Sequence, residues 1–294
     1  IKCWGMNNSG ELGNGSVITN KRYTPVNVSG ISNASTVRAD VNYSCALLDN
    51  GSIKCWGSNS SGNLGDGCSY NCNYSPNVTP LSVIGITTAQ SISLWEDSTC
   101  AVLSSGSLKC WGARKQLGDG SWGDSQPTPV SVSGITNAKL ISVGSNHNCA
   151  LLSGGTVKCW GNGGSGQLGH GSSPSYVLTP VNVSGIDSAI KIISGASFTC
   201  ALLSSGSIKC WGENSSGQLG NNSSNNGDSS TPVLVSNISN AKDFSVSKDN
   251  MYSGHVCAIL SNNKIMCWGN NSYGQLGNGT TSNFSNKPLQ VIGF

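Results

Sequence analysis

The sequence predicts an all-β protein, a β-propeller of four-stranded blades, about six in number, with the first blade incomplete within this chain. Three observations predict it. A unit recurs down the chain, its apolar runs are short and separated by Gly, Ser, Asn and Asp, and the tripeptide Cys-Trp-Gly stands once in each unit. That tripeptide occurs at Cys3-Trp4-Gly5, Cys55-Trp56-Gly57, Cys110-Trp111-Gly112, Cys159-Trp160-Gly161, Cys210-Trp211-Gly212 and Cys267-Trp268-Gly269. The period, roughly fifty residues, falls in the range of propeller-blade repeats. The repeat units fall at about 1–30, 31–85, 86–134, 135–185, 186–238 and 239–294, read as a single domain.

Within each unit the elements follow in a fixed order. A Gly-Ile-x-x-Ala segment leads into a first strand such as Lys139-Leu140-Ile141-Ser142-Val143. Next comes Cys-Ala-aliphatic-Leu, beginning at Cys45, Cys100, Cys149, Cys200 and Cys257. A reversal such as Asp49-Asn50-Gly51 supplies a residue that tolerates positive φ, as a tight hairpin requires. The chain returns through Cys-Trp-Gly, passes a Gly-x-Leu-Gly element (Gly62–Gly65, Gly166–Gly169, Gly217–Gly220, Gly274–Gly277), and ends in a proline-led run such as Pro180-Val181-Asn182-Val183. A lone four-stranded sheet cannot bury both faces, so such blades stack around an axis to build a core. The Trp that recurs at one strand position, Trp4 included, is read as filling the wedge between neighbouring blades, whereas Trp95 and Trp122 fall outside the repeat and are expected at the surface.

These residues resemble the regulator-of-chromosome-condensation repeat. The matching features are the Ala-Leu-Leu strand, the Gly turn, the Trp-Gly pair, the Asn-x-x-Gly-Gln-Leu-Gly element and the later Pro-Val, and they span essentially the whole chain. The resemblance implies the propeller fold. It says little about function, since the superfamily includes exchange factors for small GTPases, secreted inhibitors and surface proteins. It also implies a structural role for His147 and His255, which stand before the Cys-Ala strand as a His often does in that family.

Charged residues make up 10% of the chain and the formal net charge is +3. A nucleic-acid surface needs clustered Lys and Arg, which are absent here. Regularly spaced Trp and aliphatic strands argue against disorder. No apolar run is long enough for a membrane span, and no signal peptide is visible. No Ser/His/Asp grouping, paired carboxylates, phosphate loop or calcium-loop spacing is recognisable, so no catalytic residue, metal or cofactor is assigned and the chain is read as non-catalytic.

Cysteine spacing carries more information. Cys45/Cys55, Cys100/Cys110, Cys149/Cys159, Cys200/Cys210 and Cys257/Cys267 share one separation, centred on the hairpin reversal. Directly opposed residues on antiparallel strands come within disulfide reach, so each pair is expected to staple its own hairpin. The other reading is reduced cysteines serving as small core hydrophobes. Zinc pairs have shorter spacing. Cys68 and Cys72 form a further candidate loop disulfide, and Cys3 is left without a partner, inviting an intermolecular bond. Disulfides imply an oxidising compartment, so an extracellular, cell-surface or secreted location is expected.

Asn-x-Ser/Thr triplets are abundant, and candidate glycosylation sites are Asn27, Asn33, Asn59, Asn77, Asn182, Asn214, Asn237, Asn270 and Asn278. A turn vocabulary rich in Asn and Ser would generate the same triplets without any sugar.

Six Cys-Trp-Gly halves face only five Cys-Ala halves, so the first blade lacks its Cys-bearing partner strand. The strand is expected from copies of this protein or from adjoining segments of a larger chain. The functional expectation is a non-catalytic extracellular structural or adhesive propeller, polymerising head-to-tail by strand completion into a glycosylated filament. The alternative is a secreted propeller that recognises or inhibits a specific protein through rim loops at Gly67–Pro76, Gly118–Pro127 and Gly220–Pro232.

Overall fold

A computed structural model describes residues 1–16, 21–68, 77–248 and 254–293. The chain separates into two compact units, Ile1–Val143 and Gly144–Phe294. In the first, β1 (Lys2–Gly5) and β2 (Arg22–Asn27) form a two-stranded sheet. Two four-stranded blades follow: β3 (Ala34–Ala39), β4 (Tyr43–Leu48), β5 (Ile53–Gly57) and β6 (Asn77–Ser82), then β7 (Ala89–Trp95), β8 (Ser98–Leu103), β9 (Leu108–Gly112) and β10 (Gln126–Ser131). The unit ends with β11 (Ala138–Val143).

The second unit opens with β12 (His147–Leu152), β13 (Val157–Asn162) and β14 (Tyr176–Asn182), neighbours in that order in one sheet. It continues with the blade β15 (Ala189–Ser194), β16 (Phe198–Leu203), β17 (Ile208–Gly212) and β18 (Ser229–Leu234), then β19 (Ala241–Val246), β20 (His255–Leu260), β21 (Ile265–Asn270) and β22 (Phe284–Gln290). The helical content of the described residues is one 3-10 turn, Arg114–Gln116.

Each blade is thus a meander of antiparallel strands in chain order. The outermost strand carries a proline in every case, at Pro25, Pro80, Pro129, Pro180, Pro232 and Pro288. Proline cannot donate to a ladder, so it belongs on an edge. The middle hairpins reverse at a residue with positive φ: Gly51 (79°), Gly106 (79°), Gly155 (81°), Gly206 (82°) and, in the last blade, Asn263 (65°). Asparagine is the side chain that best tolerates this conformation, which accounts for the one replacement.

Apolar residues alternate toward the blade faces. In the first unit Tyr43, Leu47, Ile53, Leu64, Val83 and Ile86 of one blade pack against Ala89, Ile92, Leu94, Ala101 and Trp111 of the next. The second unit repeats the arrangement, with Leu151, Val157, Leu168, Val183 and Ile186 against Ala189, Ile192, Ala201 and Trp211. The core therefore consists of layers between blades.

Candidate functional site

The hairpin register sets the cysteines directly opposite one another, Cys45↔Cys55, Cys100↔Cys110, Cys149↔Cys159, Cys200↔Cys210 and Cys257↔Cys267. All five pairs lie at disulfide distance, with S–S between 2.06 and 2.11 Å and Cα–Cα of 4.1 Å. The first four pairs are fully buried, while Cys257 is half-buried. Cys68 is half-buried in a loop where Asn59 Nδ2 donates to its carbonyl at 3.1 Å, and Cys72 lies outside the described residues.

Between blades a second device recurs. Trp56 Nε1 donates to the Glu11 carbonyl (2.8 Å), Trp111 to Asn63 (2.9 Å), Trp211 to Gln167 (2.9 Å) and Trp268 to Gln218 (3.0 Å). Each acceptor is the residue between the first Gly and the Leu of the preceding Gly-x-Leu-Gly loop, or its equivalent at Glu11. The glycine after that Leu lies under the indole: a methyl group placed on Gly65 would stand 2.7 Å from Trp111 Nε1, on Gly169 2.7 Å from Trp211 Nε1, and on Gly220 2.6 Å from Trp268 Nε1. These loops are held from inside by asparagine. The Oδ1 atoms of Asn7, Asn59, Asn214 and Asn271 accept the N–H of Leu12, Leu64, Leu219 and Leu276, each at 3.0 Å. Replacing Asn214 by Ala is expected to cost about 1–3 kcal/mol, since the Leu219 N–H is buried; a chemical denaturation curve measures it.

This geometry corrects several sequence expectations. Asn214 is fully buried and its Nδ2 donates to the Gly227 carbonyl at 3.4 Å, so it cannot carry a sugar in the folded chain. Asn59 is similarly engaged, donating to Asp66 at 3.0 Å. At Asn270 and Asn278 the contacts fall on Oδ1, which accepts from Ser272 N–H (3.1 Å) and Gln275 (2.7 Å) and from Thr280 N–H (3.3 Å) respectively, so they do not bear on Nδ2. Asn77 is half-buried, whereas Asn27, Asn33, Asn182 and Asn237 are exposed. Trp95 is 4% exposed, not a surface residue, because it continues β7 against Ser98. Trp4 is 64% exposed where its five counterparts are fully buried; among the described residues β1 has one sheet neighbour, β2.

Cys3 pairs in register with Val26 and packs beside Val28, Ile31, Ala46, Leu48 and Trp56. Burial pushes its thiol pKa up, against the opposing pull of the N-terminal ammonium. It is a free thiol held in its protonated form.

His147 is the most perturbed titratable group of the second unit. It is fully buried, its Nε2 lies 2.7 Å from Thr199 Oγ1, and its Nδ1 has no partner. Burial pushes its pKa from 6.5 down to about 3, so the native ring is neutral. Because the unfolded chain binds this proton and the native chain does not, stability is intact above pH 6.5 and falls as pH drops toward 3, by about 1.4 kcal/mol per unit from this one group. Thermal melts from pH 7 to 5, compared with a His147→Asn variant whose profile is flatter, check this. Tyr43 plays the corresponding packing role in the first unit, its hydroxyl donating to the Ser98 carbonyl at 2.9 Å.

Among the described residues no group of three or more His, Cys, Asp or Glu is placed to hold a metal ion. No helix among them is long and apolar enough to cross a membrane. Two exposed aromatic side chains lie in loops: Trp122, 59% exposed with Lys115 Nζ 5.1 Å from its ring centre, and Tyr273, 92% exposed.

The comparisons with known proteins agree with this architecture. The chain is 28% identical over 285 residues to the ultraviolet-B receptor UVR8 of Arabidopsis thaliana, covering 95% of this chain and 62% of the receptor. It is 29% identical over 122 residues to the E3 ubiquitin-protein ligase HERC2 of Homo sapiens, covering 40% of this chain and 2% of the ligase. The chain therefore spans less than two thirds of these curated relatives. Among solved structures, yeast RCC1 (Prp20) bound to Kap60 superposes with a TM-score of 0.80 at 20% identity, over 100% of this chain and 72% of that one. Human WBSCR16 gives 0.80 at 20%, over 99% and 75%. The RCC1-like domain profile matches residues 1–293, and the chain belongs to that family of β-propellers.

Proposed function

We propose that this chain is a non-catalytic extracellular propeller that binds another protein through its loops, with each hairpin stapled by a cystine. The observation that carries the compartment is the five-fold repetition of one buried Cys↔Cys register. Thiols kept reduced would gain nothing from opposing one another in every blade, whereas cystines of this kind persist in oxidising surroundings. Protein recognition is supported by the family and by the exposed aromatics of the loops. The yeast relative was crystallised bound to Kap60, and loops on a rigid scaffold are common places for recognition. Trp122 and Tyr273 are the anchors we assign to it, since exposed aromatic rings dominate interface energetics.

A second reading concerns the first sheet, where the β1 edge and Trp4 are uncovered. We propose that β1 is completed by a strand of the Cys-Ala-Leu type, whose cysteine takes Cys3 as its partner. All five such strands in this chain are already paired with their own Cys-Trp-Gly strand. A second copy could donate one only by opening its own blade, so an additional repeat is the better donor than a head-to-tail filament of this chain.

The test is a non-reducing peptide map of native protein alkylated before digestion. Five linked intrablade peptides are expected. Alkylated cysteines at those positions in native material would overturn the extracellular reading. Cys3 linked to a peptide from another copy's Cys-Ala strand would restore the filament.

A further inference from the structure

We infer that the chain carries N-linked sugar at Asn27 and Asn182, on the outer edge of two blades; this rests on the extracellular reading above. The sequence offers many Asn-x-Ser/Thr triplets, and the structure divides them by what the reacting atom is doing. N-glycosylation joins the amide Nδ2 to the anomeric carbon of a sugar carried on a lipid pyrophosphate. The C1–O bond to the pyrophosphate breaks, the lipid pyrophosphate leaves with the electron pair, and one amide proton passes to base. An Asn whose Nδ2 is turned inward against the loop it caps leaves no room for a sugar on that atom in the folded protein.

Asn7, Asn59 and Asn214 belong to that inward class. Their Nδ2 atoms donate to the Ser16 carbonyl (2.8 Å), to Asp66 and the Cys68 carbonyl (3.0 and 3.1 Å), and to the Gly227 carbonyl (3.4 Å). Their triplets arise because the seam loop needs an Asn and is followed by small polar residues. Asn237 has another reason to be present. It sits at φ 57°, the turn position held elsewhere by Gly30, Gly85, Gly134 and Gly185 at 61–68°.

Asn27 and Asn182 have no such explanation. Both are the last residue of an outermost strand, paired across the ladder with Lys2 and Lys158, and both are exposed. The residue that follows, Val28 or Val183, points into the core at 5% exposure, which turns the Asn outward. The hydroxyl residues of the triplets, Ser29 and Ser184, each donate a backbone N–H to a seam-loop glycine, Gly13 (2.8 Å) and Gly169 (2.9 Å); Ser184 is exposed and Ser29 half-buried. The other blades place Ser82, Ser131, Leu234 and Gln290 at this position, so nothing in the fold demands asparagine. A sugar there would shield an open strand edge, which otherwise templates pairing with another chain.

The experiment directs the full chain into the secretory pathway of a eukaryotic cell, then releases N-glycans enzymatically in heavy-oxygen water and maps the labelled aspartates. Label is expected at positions 27 and 182 and not at 7, 59 or 214. Ser29→Ala and Ser184→Ala should each remove one glycan from the intact mass while leaving the melting temperature of the enzymatically deglycosylated protein unchanged. Unlabelled Asn27 and Asn182 would overturn the inference, as would retention of the glycan in the Ser→Ala variants. The same digest, read without reduction, reports the cysteines. Linked pairs with unlabelled asparagines sink this inference alone, whereas free thiols sink the extracellular reading.

Discussion

Reducing all five cystines is expected to unfold the chain, and the last blade is expected to be reduced first. Each bond closes a loop with a sequence separation of 10. On the chain-entropy account a loop of that size is worth about 3 kcal/mol, so five together reach about 15 kcal/mol. A domain of ordinary stability has about 5–15 kcal/mol in total. Even if each hairpin delivers half its entropic share, because its turn residues already bias the unfolded chain, the loss is comparable with the whole margin. Four of the five pairs are fully buried, so a reductant reaches them only through opening of the blade, and their loss follows the unfolding rate. Cys257 is half-buried on the last blade, so an attacking thiolate is expected to reach that bond with less opening. Timed alkylation under native conditions, with far-ultraviolet circular dichroism of the same samples, checks both statements. Simultaneous loss of all five would mean one cooperative opening governs access. A fully reduced protein that melts within a few degrees of the oxidised one would show that seam packing alone suffices.

The hairpins were open to sequence reasoning because their signals are local. Cys45 and Cys55 flank a reversal containing Gly51, and period-two alternation fixes which side chains oppose. The seam was not, because its partners lie 44–50 residues apart and one of them is a backbone carbonyl, which no side-chain pattern reports. Gly65 and Trp111 are visible as repeated letters, yet the reason for each is the other, across a blade boundary. Trp4 shows the complementary failure. It carries the same motif as Trp56, but burial depends on a neighbouring loop that motif reading takes for granted. The asparagines divide the same way. Asn214 and Asn182 satisfy one triplet rule equally, and only the placement of Nδ2 separates a loop cap from an outward side chain.

Replacing Gly169 by Ala is expected to be among the most damaging single changes, and the damage should depend on Trp211. The added methyl group would lie 2.7 Å from Trp211 Nε1, 2.8 Å from Cδ1 and 2.9 Å from Val183 Cγ1, at φ 68°. Left-handed backbone costs an alanine about 1–2 kcal/mol. Overpacking a close-packed site adds about 1–3 kcal/mol, giving about 2–5 kcal/mol in all. Gly185→Ala separates the two contributions, for its φ is 61° and a methyl group there meets nothing within 4 Å, so it should show the backbone cost alone. Trp211→Phe removes the N–H from the Gln167 carbonyl, which still accepts from Thr199 Oγ1 at 3.3 Å. That loss, with the volume left empty, is expected to cost about 2–4 kcal/mol. The phenyl ring vacates the pyrrole edge where Nε1 and Cδ1 stood, the atoms with which the Gly169→Ala methyl collides. The double variant should therefore be more stable than the sum of the single costs allows, by about 1 kcal/mol or more. Denaturant unfolding of the four proteins under oxidising conditions measures the coupling. Strict additivity would mean that Gly169 is required for its backbone conformation and that the indole does not set the distance between blades.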